Sequence, residues 1–507
     1  MTATVHTATI LGARGQPVTV EVHVSTDQLP GFTLLGLPDE SVREARDRVR
    51  AAVVTSGFTW ADKRVVVNLA PPQFRKTGSG LDLAIAVGAL VAFGIIPADR
   101  VSGFGFIGEL GLDGSVRPVP GVVPMVGARR EVTWVVPMAN APEARVIANE
   151  VRPIDRLDRL VAALTGADDW PDDDEVGSLP VSTDAPAGDL SDVKGQPVAR
   201  QALEIAAAGG HHLLFVGSPG SGKTMLAQRL VGLLPDLSPQ HALETTMIHS
   251  AAGVPLPPGG LIRRPPFRSP HHTSSTGALV GGGGHRHRPG EVSLAHRGLL
   301  FLDEMGQFVP AALDALREAL ETGQIMVGRV DQIRVPMPAR FQLVGATNPC
   351  PCGGGAPGAC ECDERSRHRY LSRLSGPLLD RFDLRVAIHR PDVGDMLDGQ
   401  PGESTATVAE RVAAARHLAI ERQGHLNSDL DEAGLDEVAR LDDRADAIVR
   451  DRLEQGHLTA RGYHRIRRVA RTIADLEGVT TSVVAADHVA AALGLRARIG
   501  AASVGQA

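Results

Sequence analysis

The stretch Gly217-Ser218-Pro219-Gly220-Ser221-Gly222-Lys223-Thr224 has the pattern G-x-x-x-x-G-K-T, which is typical of the phosphate-binding loop of nucleoside triphosphatases. The apolar run 212–216 predicts a strand before the loop, and the spacing of apolar residues in 225–234 predicts a helix after it. In that context the glycines let backbone N–H groups surround phosphates at a helix N-terminus. We expect Lys223 to reach the β- and γ-phosphates and Thr224 to offer its hydroxyl to Mg²⁺. The alternative is a glycine turn with one surface lysine, which would not require a strand and a helix on either side.

A second motif lies downstream, where the run Gly298-Leu299-Leu300-Phe301-Leu302 leads into Asp303 and Glu304. The run predicts a buried strand that ends in two carboxylates. Asp303 would hold the water shell of Mg²⁺, and Glu304 would polarise the attacking water, which needs a carboxylate within hydrogen-bond reach. An apolar run before Asp-Glu is weak evidence alone, but after a phosphate loop it is strong. Together the two motifs predict an α/β core that hydrolyses a nucleoside triphosphate.

Length, charge and cysteine usage narrow the class of protein. A chain of 507 residues is too long for one hydrophobic core, so we expect roughly three domains. A net charge of −7 excludes a globally basic surface, so any contact with nucleic acid must be local. Neither a signal peptide nor an apolar run long enough to span a bilayer is recognisable. All four cysteines lie within 350–362, which is not the pattern of a secreted disulfide framework. We expect a cytoplasmic protein that does not contact membranes.

The first part of the chain mixes strand and helix patterns, which predicts an α+β domain over residues 1–165. Elements with clear periodicity are predicted at 18–24, 65–69, 81–93 and 104–109. Another helix is predicted at 41–56, with an apolar face made of Val42, Ala45, Val49, Ala52 and Val53. Ser41 is the expected N-cap of this helix, since Glu44 follows at capping-box spacing.

Four motifs of this region resemble the N-terminal domain of the ComM/YifB family, whose members are often named magnesium-chelatase-like AAA+ ATPases. They are Pro30-Gly31-Phe32, Gly36-Leu37-Pro38-Asp39, Val65-Val66-Val67-Asn68-Leu69-Ala70-Pro71 and Lys76-Thr77-Gly78-Ser79-Gly80-Leu81-Asp82-Leu83. The resemblance implies a Lon-protease-like fold (ribosomal S5 domain 2-like), so a Ser–Lys protease must be considered. Aligned with Lon, the serine position carries Gly80 and the lysine position carries Val123, while Ser79 has no nearby general base. We therefore expect this domain to lack protease chemistry.

The resemblance covers nearly the whole chain and implies an AAA+ P-loop core at 191–392 and a C-terminal helical lid at 393–507. Between the first domain and the core, residues 168–188 hold seven acidic and no basic residues, so 166–190 is expected to be an acidic linker. The family implies ATP as the nucleotide and Mg²⁺ as its cofactor. The chain departs from the family at Glu304-Met305-Gly306-Gln307-Phe308, where Glu-Leu-Pro-Glu-Phe is usual, which leaves the detail of this loop open.

A basic insert separates the phosphate loop from the carboxylate pair. Residues 261–297 hold six arginines, five histidines and one acidic residue, Glu291. This composition is compatible with a pore loop that contacts DNA phosphates and with a solvated loop that forms internal salt bridges. We expect the pair His271-His272 to form hydrogen bonds within the loop rather than to bind a metal, because no carboxylate pattern accompanies it.

Two apolar-rich arms on either side of Gly328 predict a β-hairpin. In AAA+ motors of the branch that this chain resembles, a hairpin in this position points into the channel of the ring. Arg329 and Arg334 would then contact the phosphate backbone of DNA. Equally, they could simply form the exposed face of a hairpin.

The next strand, Phe341-Gln342-Leu343-Val344-Gly345-Ala346-Thr347, ends at Asn348. By resemblance Asn348 is the first sensor, whose amide orients the attacking water near the γ-phosphate. The four cysteines follow at once, and they are Cys350, Cys352, Cys360 and Cys362. Four thiols so close together in a reducing compartment predict a tetrahedral Zn²⁺ site, although the C-x-C spacing is tighter than usual. Thiols without a metal, or a redox pair, are the alternatives.

Two arginines complete the set that the family implies. Arg381, in Leu378-Leu379-Asp380-Arg381-Phe382-Asp383, resembles the arginine finger that reaches the γ-phosphate bound by the neighbouring subunit. Arg461 falls at the second-sensor position of the lid helix, in a region that looks wholly helical from about residue 405. The alternatives are an intrachain ion pair for Arg381 and a solvated position for Arg461. An arginine finger implies a homo-oligomeric ring, which the family suggests is a hexamer.

We weigh three functions. The first is an ATP-driven DNA translocase, because proteins of the ComM type are similar to ring-shaped motors that promote branch migration during DNA uptake and recombination. The second is a motor subunit for metal insertion, as the chelatase name implies, although no metal-binding partner domain is visible. The third is a nucleotide-dependent scaffold without activity, which the full set of hydrolysis residues argues against.

Overall fold

The structure is a computed structural model. It describes residues 1–26, 29–171, 188–282, 288–327, 334–354, 360, 362–373, 376–392, 394 and 399–497. Within these ranges no helix combines the length and the apolar character needed to cross a membrane.

The first 171 residues are built on a mixed seven-stranded sheet in the order β3-β4-β2-β1-β5-β8-β9, and β6 and β7 form a separate two-stranded ladder. The strands are β1 Thr2–Leu11, β2 Arg14–Ser25, β3 Gly31–Leu35, β4 Arg64–Ala70, β5 Phe104–Phe106, β6 Glu109–Leu110, β7 Val116–Arg117, β8 Thr133–Pro137 and β9 Val151–Ile154. The helices are α1 Glu40–Thr55, α2 Asp82–Ala92, α3 Val122–Gly127, α4 Ala141–Ala144 and α5 Leu157–Thr165.

Helix α1 packs on α2 through the five apolar residues that the sequence predicts, all of which are buried. The predicted cap is wrong, however. The helix begins at Glu40, so Asp39 is the N-cap and its Oδ1 accepts the N–H of Val42 at 2.8 Å. Helix α2 is buried along its whole length, which explains why it is apolar on every face. The predicted strand 104–109 divides into β5 and β6, because Gly108 leaves the sheet and bonds with Gly80 instead.

The residues at either end of the acidic stretch pack onto the units beside them. The ring of Trp170 stacks on Phe104 with 5.7 Å between their centroids. Leu190 is buried in the hydrophobic core that follows, and its N–H donates to the hydroxyl of Thr405 at 2.7 Å. Residues 172–187, which make up most of the predicted linker, lie outside the described residues.

The second unit contains a parallel five-stranded sheet in the order β11-β12-β15-β10-β16. Its strands are β10 Leu213–Gly217, β11 Phe267–Arg268, β12 Leu299–Leu302, β15 Gln342–Thr347 and β16 Leu384–Ile388. Its helices are α6 Pro197–Gly209, α7 Lys223–Gly232, α8 Pro239–Ala252, α9 Thr276–Val280, α10 Glu291–Leu294, α11 Pro310–Thr322, α12 Glu364–Arg373 and α13 Gly376–Leu379. Since the strands are parallel, the segments that follow β10, β12 and β15 meet at one edge of the sheet, where ligands bind in such folds.

The predicted hairpin is confirmed for its two arms. Strands β13 Gln324–Val327 and β14 Val335–Pro338 pair in antiparallel register. The tip, with Arg329, lies outside the described residues.

Helix α8 of the second unit packs against α3 of the first. The N–H of Val123 donates to the hydroxyl oxygen of Ser250 at 3.3 Å, and the Ser250 hydroxyl donates to Glu143. Burial raises the pKa of Glu143. Val123, the position aligned with the lysine of Lon, is therefore covered by the second unit.

The C-terminal part contains α14 Thr405–Gln423, α15 Glu432–Val438, α16 Asp443–Glu454, α17 Ala460–Leu476 and α18 Ala486–Gly494. Of these helices, α14 and α17 pack on α6. It is not wholly helical as predicted. Strands β17 Arg440–Leu441 and β18 Val483–Val484 form a short parallel ladder, because the chain before α16 and the chain before α18 run side by side. One hydrophobic core joins these helices to the five-stranded sheet.

Candidate nucleotide-hydrolysis site

The predicted phosphate loop connects β10 to α7, which begins at Lys223. Gly220 and Gly222 have φ angles of 75° and 88°, a region that favours glycine. The Lys223 Nζ donates to the carbonyl oxygens of Gly217 and Ser218, each at 2.8 Å. Burial lowers the pKa of Lys223, and the charges of Asp303 and Glu304 oppose this shift. The lysine is thus held inside the loop, where it faces two carboxylates.

The residues predicted to bind Mg²⁺ lie next to each other across the sheet edge. The Thr224 hydroxyl donates to Oδ2 of Asp303 at 2.7 Å. The other oxygen of Asp303 accepts the N–H of Glu304 at 2.8 Å, which fixes the carboxylate. A hydroxyl and a carboxylate are the oxygen ligands that Mg²⁺ takes in such sites, so this pair fits the ion.

Glu304 follows β12 in a left-handed conformation, with φ of 48°. Its Oε2 lies 3.3 Å from Nδ1 of His272, a residue of the basic insert. The expectation that both histidines bond within the loop is therefore half wrong. His271 does so, through the hydroxyl of Thr273 at 2.8 Å, but His272 reaches the predicted catalytic glutamate. The rings of His271 and His272 lie 4.2 Å apart. Through the contact of His272 with Glu304, the insert directly reaches the candidate hydrolysis site.

Asn348 follows β15, on the other side of Lys223. Its Oδ1 accepts the Lys223 ammonium at 3.3 Å. The preceding Thr347 is buried, and its hydroxyl lies 3.1 Å from the hydroxyl of Tyr370 in α12. The ring of Tyr370 fills the space beside Gly306, where a Cβ would lie 2.6 Å from the ring. This contact accounts for glycine at a position where the family usually has proline.

These side chains surround a cavity of about 410 Å³, within the range of roughly 300–1,000 Å³ typical of ligand sites. Its lining comprises Pro219, Gly220, Ser221, Gly222, Lys223, Thr224, Met225, Asp303, Glu304, Thr347 and Asn348. The structure therefore brings together Lys223, Thr224, Asp303, Glu304 and Asn348.

Two residues that hold the backbone of the phosphate loop were not predicted from the sequence. Gln196, just before α6, is buried, and its amide donates to the carbonyl oxygen of Ser221 at 2.9 Å. Arg390, just after β16, donates to the carbonyl oxygen of Pro219 at 3.3 Å. Neither belongs to a recognised motif. A weak signal was available for Arg390, because it follows a strand at the same sheet edge as the phosphate loop.

Arg381 and Arg461 are not among the residues that line the cavity. The Arg381 guanidinium pairs with Glu321 at the end of α11. Burial lowers its pKa, and the nearby charges of Arg465, Arg461 and Arg317 act in the same direction. Arg461 is exposed in the first turn of α17. The two predicted arginines thus belong to one basic cluster that lies outside the site of their own chain.

The four cysteines converge, with their Sγ atoms all within 4.8 Å of one another. The separations are 3.3 Å for Cys350 to Cys352, 3.7 Å for Cys352 to Cys360 and 3.5 Å for Cys360 to Cys350. Burial raises the pKa of the Cys350 thiol to about 12, and its hydrogen bonds with Cys352 and Cys360 add to the shift. No disulfide joins any of the four residues.

The charge of the basic insert is partly neutralised by two acidic residues, Glu291 within the insert and Glu244 in α8. Arg268 forms two hydrogen bonds of 2.7 Å with Glu291, and Arg297 lies 3.5 Å from Glu244. These two arginines have structural partners, which supports the salt-bridge interpretation for them. Arg334 is exposed at the start of the second hairpin arm.

Three family models match the chain in succession. The model for subunit ChlI of Mg-chelatase matches residues 20–140, and the model for magnesium chelatase, subunit ChlI, matches residues 189–396. The model for the C-terminal part of magnesium chelatase, subunit ChlI, matches residues 402–496.

Full-length relatives are similar over almost their entire length. The chain is 46% identical over 497 residues to an uncharacterised protein of Mycobacterium tuberculosis, covering 96% of this chain and 97% of that protein. It is 42% identical over 503 residues to the uncharacterised protein YifB of Escherichia coli, covering 97% and 96%. It is 41% identical over 505 residues to the competence protein ComM of Haemophilus influenzae, covering 98% of each.

Proposed function

The chain belongs to the magnesium-chelatase-like AAA+ ATPase family that includes ComM and YifB, and on that premise we propose that it is an ATP-driven motor that acts on DNA as a ring. The observation that carries the motor proposal is a hydrolysis site that is complete except for an arginine finger. Arg381 lies outside its own cavity, paired with Glu321.

Five residues of the cavity divide the tasks of hydrolysis. Lys223 binds the β- and γ-phosphates, exchanging its carbonyl partners for phosphate oxygens. Thr224 and Asp303 would hold Mg²⁺, which neutralises phosphate charge when bound. Glu304 orients and deprotonates the attacking water, and Asn348 holds that water close to the γ-phosphate. The phosphoryl group is thereby transferred to water, and ADP remains in the loop.

Assembly supplies the missing positive charge. In a ring, most simply a hexamer, the basic cluster of one subunit faces the cavity of the next. Arg381 then stabilises charge that develops on the γ-phosphate, a contribution worth about 10³–10⁵-fold in related nucleotide hydrolases. Arg461 acts from the lid as the second sensor. Hydrolysis therefore depends on neighbouring subunits, as a motor that moves along a polymer requires.

DNA is the polymer that the relatives favour, because ComM is named a competence protein. The net charge of −7 makes the outer surface unsuited to a polyanion, whereas a ring channel concentrates the hairpin arginines Arg329 and Arg334. Phosphate contacts carry no sequence information, so we propose a translocase or branch-migration helicase without sequence preference.

A DNA titration of the ATPase rate at two salt concentrations tests this function. Single-stranded, duplex and branched DNA should raise the rate, and the DNA concentration needed should increase with salt. Replacing Arg329 and Arg334 together by alanine should remove the stimulation and leave basal hydrolysis. Arg450→Ala, which changes an exposed arginine of α16, is the matched control and should respond to DNA as the unmodified protein does. A rate that no form of DNA changes would contradict the DNA proposal.

A chelatase-like motor is the second candidate, because every family model that matches carries the ChlI name. The same assay separates the two. An ATPase that is indifferent to DNA but stimulated by a metal-insertion partner would favour the chelatase-like function.

We also propose that Cys350, Cys352, Cys360 and Cys362 bind one Zn²⁺. Zn–S bonds of about 2.3 Å in a tetrahedron place sulfur atoms about 3.8 Å apart, whereas a disulfide bond measures about 2.05 Å. The separations of 3.3–3.7 Å fit the metal site better than a disulfide. Elemental analysis should find one zinc per chain in protein purified without chelators, and its absence would contradict the site.

For the first unit we propose a Lon-like fold that has lost proteolysis. Val123, at the lysine position, is buried against Ser250 of α8. The side chain of Val123 cannot accept a proton from Ser79, so the base of a Ser–Lys pair is missing at this position. Purified protein should therefore leave an unfolded substrate such as casein intact with ATP, and ATP-dependent cleavage would contradict this assignment.

A further inference from the structure

The cysteine loop lies against the phosphate loop. Gly353, one residue after Cys352, has a φ of 72°, and its N–H donates to the carbonyl oxygen of Cys350 at 3.1 Å. A Cβ on Gly353 would lie 2.6 Å from Cγ of Pro219, the third residue of the phosphate loop. Only glycine allows so close an approach with this backbone conformation. The turn between the first two cysteines and the later pair therefore supports one wall of the nucleotide site.

Both ends of the cysteine loop are attached to the same site. The loop leaves the sheet at Asn348, whose side chain accepts the Lys223 ammonium. It returns through α12, where Tyr370 bonds with Thr347, the residue before Asn348. A cross-link between Cys350 and Cys362 would thus close a loop whose two anchors and whose Gly353 all contact residues of the nucleotide cavity.

Within residues 350–354, the side-chain hydrogen bonds are made by the thiols of Cys350 and Cys352. The described residues between the two anchors include two glycines, Gly353 and Gly354. Cys350 is buried, with an exposed fraction of 2%. Glycine-rich segments lose more conformational entropy on ordering than others, so a bound ligand must compensate. A metal that binds all four thiolates provides such compensation directly, because binding free energy becomes folding free energy.

We infer that Zn²⁺ in the cysteine cluster braces the phosphate loop through the contact between Gly353 and Pro219, so that metal occupancy sets the affinity for ATP. The inference rests on the zinc site proposed above and is independent of DNA. When the metal is present, the loop is fixed and the wall at Pro219 is preorganised for phosphates. When the metal is lost, the turn at Gly353 relaxes. Part of the free energy of nucleotide binding is then used to order the site, so the affinity falls.

The test measures zinc content and nucleotide affinity on the full-length chain. Zinc is determined by elemental analysis, and affinity by titration with a fluorescent ATP analogue in the presence of Mg²⁺. Cys352→Ser removes an exposed thiol, so it spares the core. We expect this variant to lose zinc and to bind the analogue about tenfold more weakly, within the range of roughly 5–150-fold usual for coupled sites. Stripping zinc from the unmodified protein should have the same effect, and adding Zn²⁺ should reverse it.

A second variant tests the route. Pro219→Ala removes the ring that Gly353 contacts, so it should keep zinc, and zinc removal should no longer change its affinity for the analogue. Pro351→Ala, an exposed proline of the same turn, is the matched control and should respond to zinc removal as the unmodified protein does.

Three results would overturn the inference. The first is protein that contains no zinc, which also removes the proposed metal site. The second is zinc loss with unchanged affinity, which leaves the metal site standing but separates it from the nucleotide. The third is a Pro219→Ala variant that responds to zinc removal as strongly as the unmodified protein, which excludes this contact as the route.

Discussion

Replacing Glu304 by glutamine separates nucleotide binding from hydrolysis. The side chain is 46% exposed, so an amide of the same shape leaves no buried group without a partner. Nδ1 of His272 can donate to an amide oxygen as it can to a carboxylate oxygen. Neither Lys223 nor the Thr224–Asp303 pair is changed, so the cavity that binds phosphates stays intact.

The expected loss lies in the chemical step. An amide cannot accept the proton of the attacking water, and losing a positioned general base typically costs about 10²–10⁴-fold in rate. At about 1.36 kcal/mol per tenfold change, this raises the barrier by roughly 2.7–5.4 kcal/mol. The binding constant for ATP should change far less, since among the described residues no hydrogen bond or ion pair joins Glu304 to the phosphate loop.

The assay combines phosphate release at saturating ATP with titration of a fluorescent ATP analogue. Glu318→Gln is the matched control, because Glu318 is an exposed acid on α11 outside the cavity lining. It should keep the full rate. A Glu304→Gln variant that retains more than about one tenth of the rate would refute the assignment of the base. A variant that fails to bind the analogue would show instead that Glu304 acts in binding.

The remaining predictions concern assembly and stability. Arg381→Ala and Lys223→Ala should each abolish hydrolysis, yet mixing the two variants should restore part of the rate. In a mixed ring, some sites combine an unmodified Lys223 in one subunit with an unmodified Arg381 from the next. Mixed rings that form and regain nothing would argue against action in trans. Asp475 is buried, and it accepts from Arg422 at 2.7 Å and from Arg471 at 2.9 Å. Asp475→Asn should lower the free energy of unfolding by about 3–5 kcal/mol in denaturant titrations, since it leaves two cations without their charge partner. Asp446→Asn, which removes the exposed pair with Arg450, should cost about 0–1 kcal/mol, and equal losses would contradict the argument from burial.

Local motifs were predictable because their chemistry depends on neighbours in sequence. The strand, loop and helix around Lys223 are confirmed, since eight consecutive residues specify both the turn and its ligand. The approach of Asp303 to Thr224 was also foreseeable, because parallel strands end at one sheet edge. The buried face of α1 is confirmed for the same local reason, its helical period.

Contacts that depend on packing were not predictable. His272 reaches Glu304 across the insert, and nothing in the sequence of either segment specifies that distance. The N-cap at Asp39 was not predicted because Asp39 and Ser41 are both residue types that cap helices. Tertiary contacts favour Asp39. That Asp39 also accepts the N–H of Gly78 at 3.2 Å shows what decided the choice.

One buried carboxylate joins the lid to the finger segment. Asp383 accepts from Arg465 of α17 at 2.5 Å, and the same guanidinium donates to the carbonyl oxygen of Arg381 at 3.0 Å. Burial alone would raise the pKa of Asp383, but the His211 imidazole, 3.6 Å away, and the charge of Arg465 hold that pKa well below the usual range. The aspartate is therefore ionised, and breaking its bond with Arg465 would leave a buried charge without its partner. Displacement of α17 must then carry the backbone of Arg381 with it. With Arg381 in the trans role proposed above, the lid of each subunit would be mechanically tied to the hydrolysis site of its neighbour.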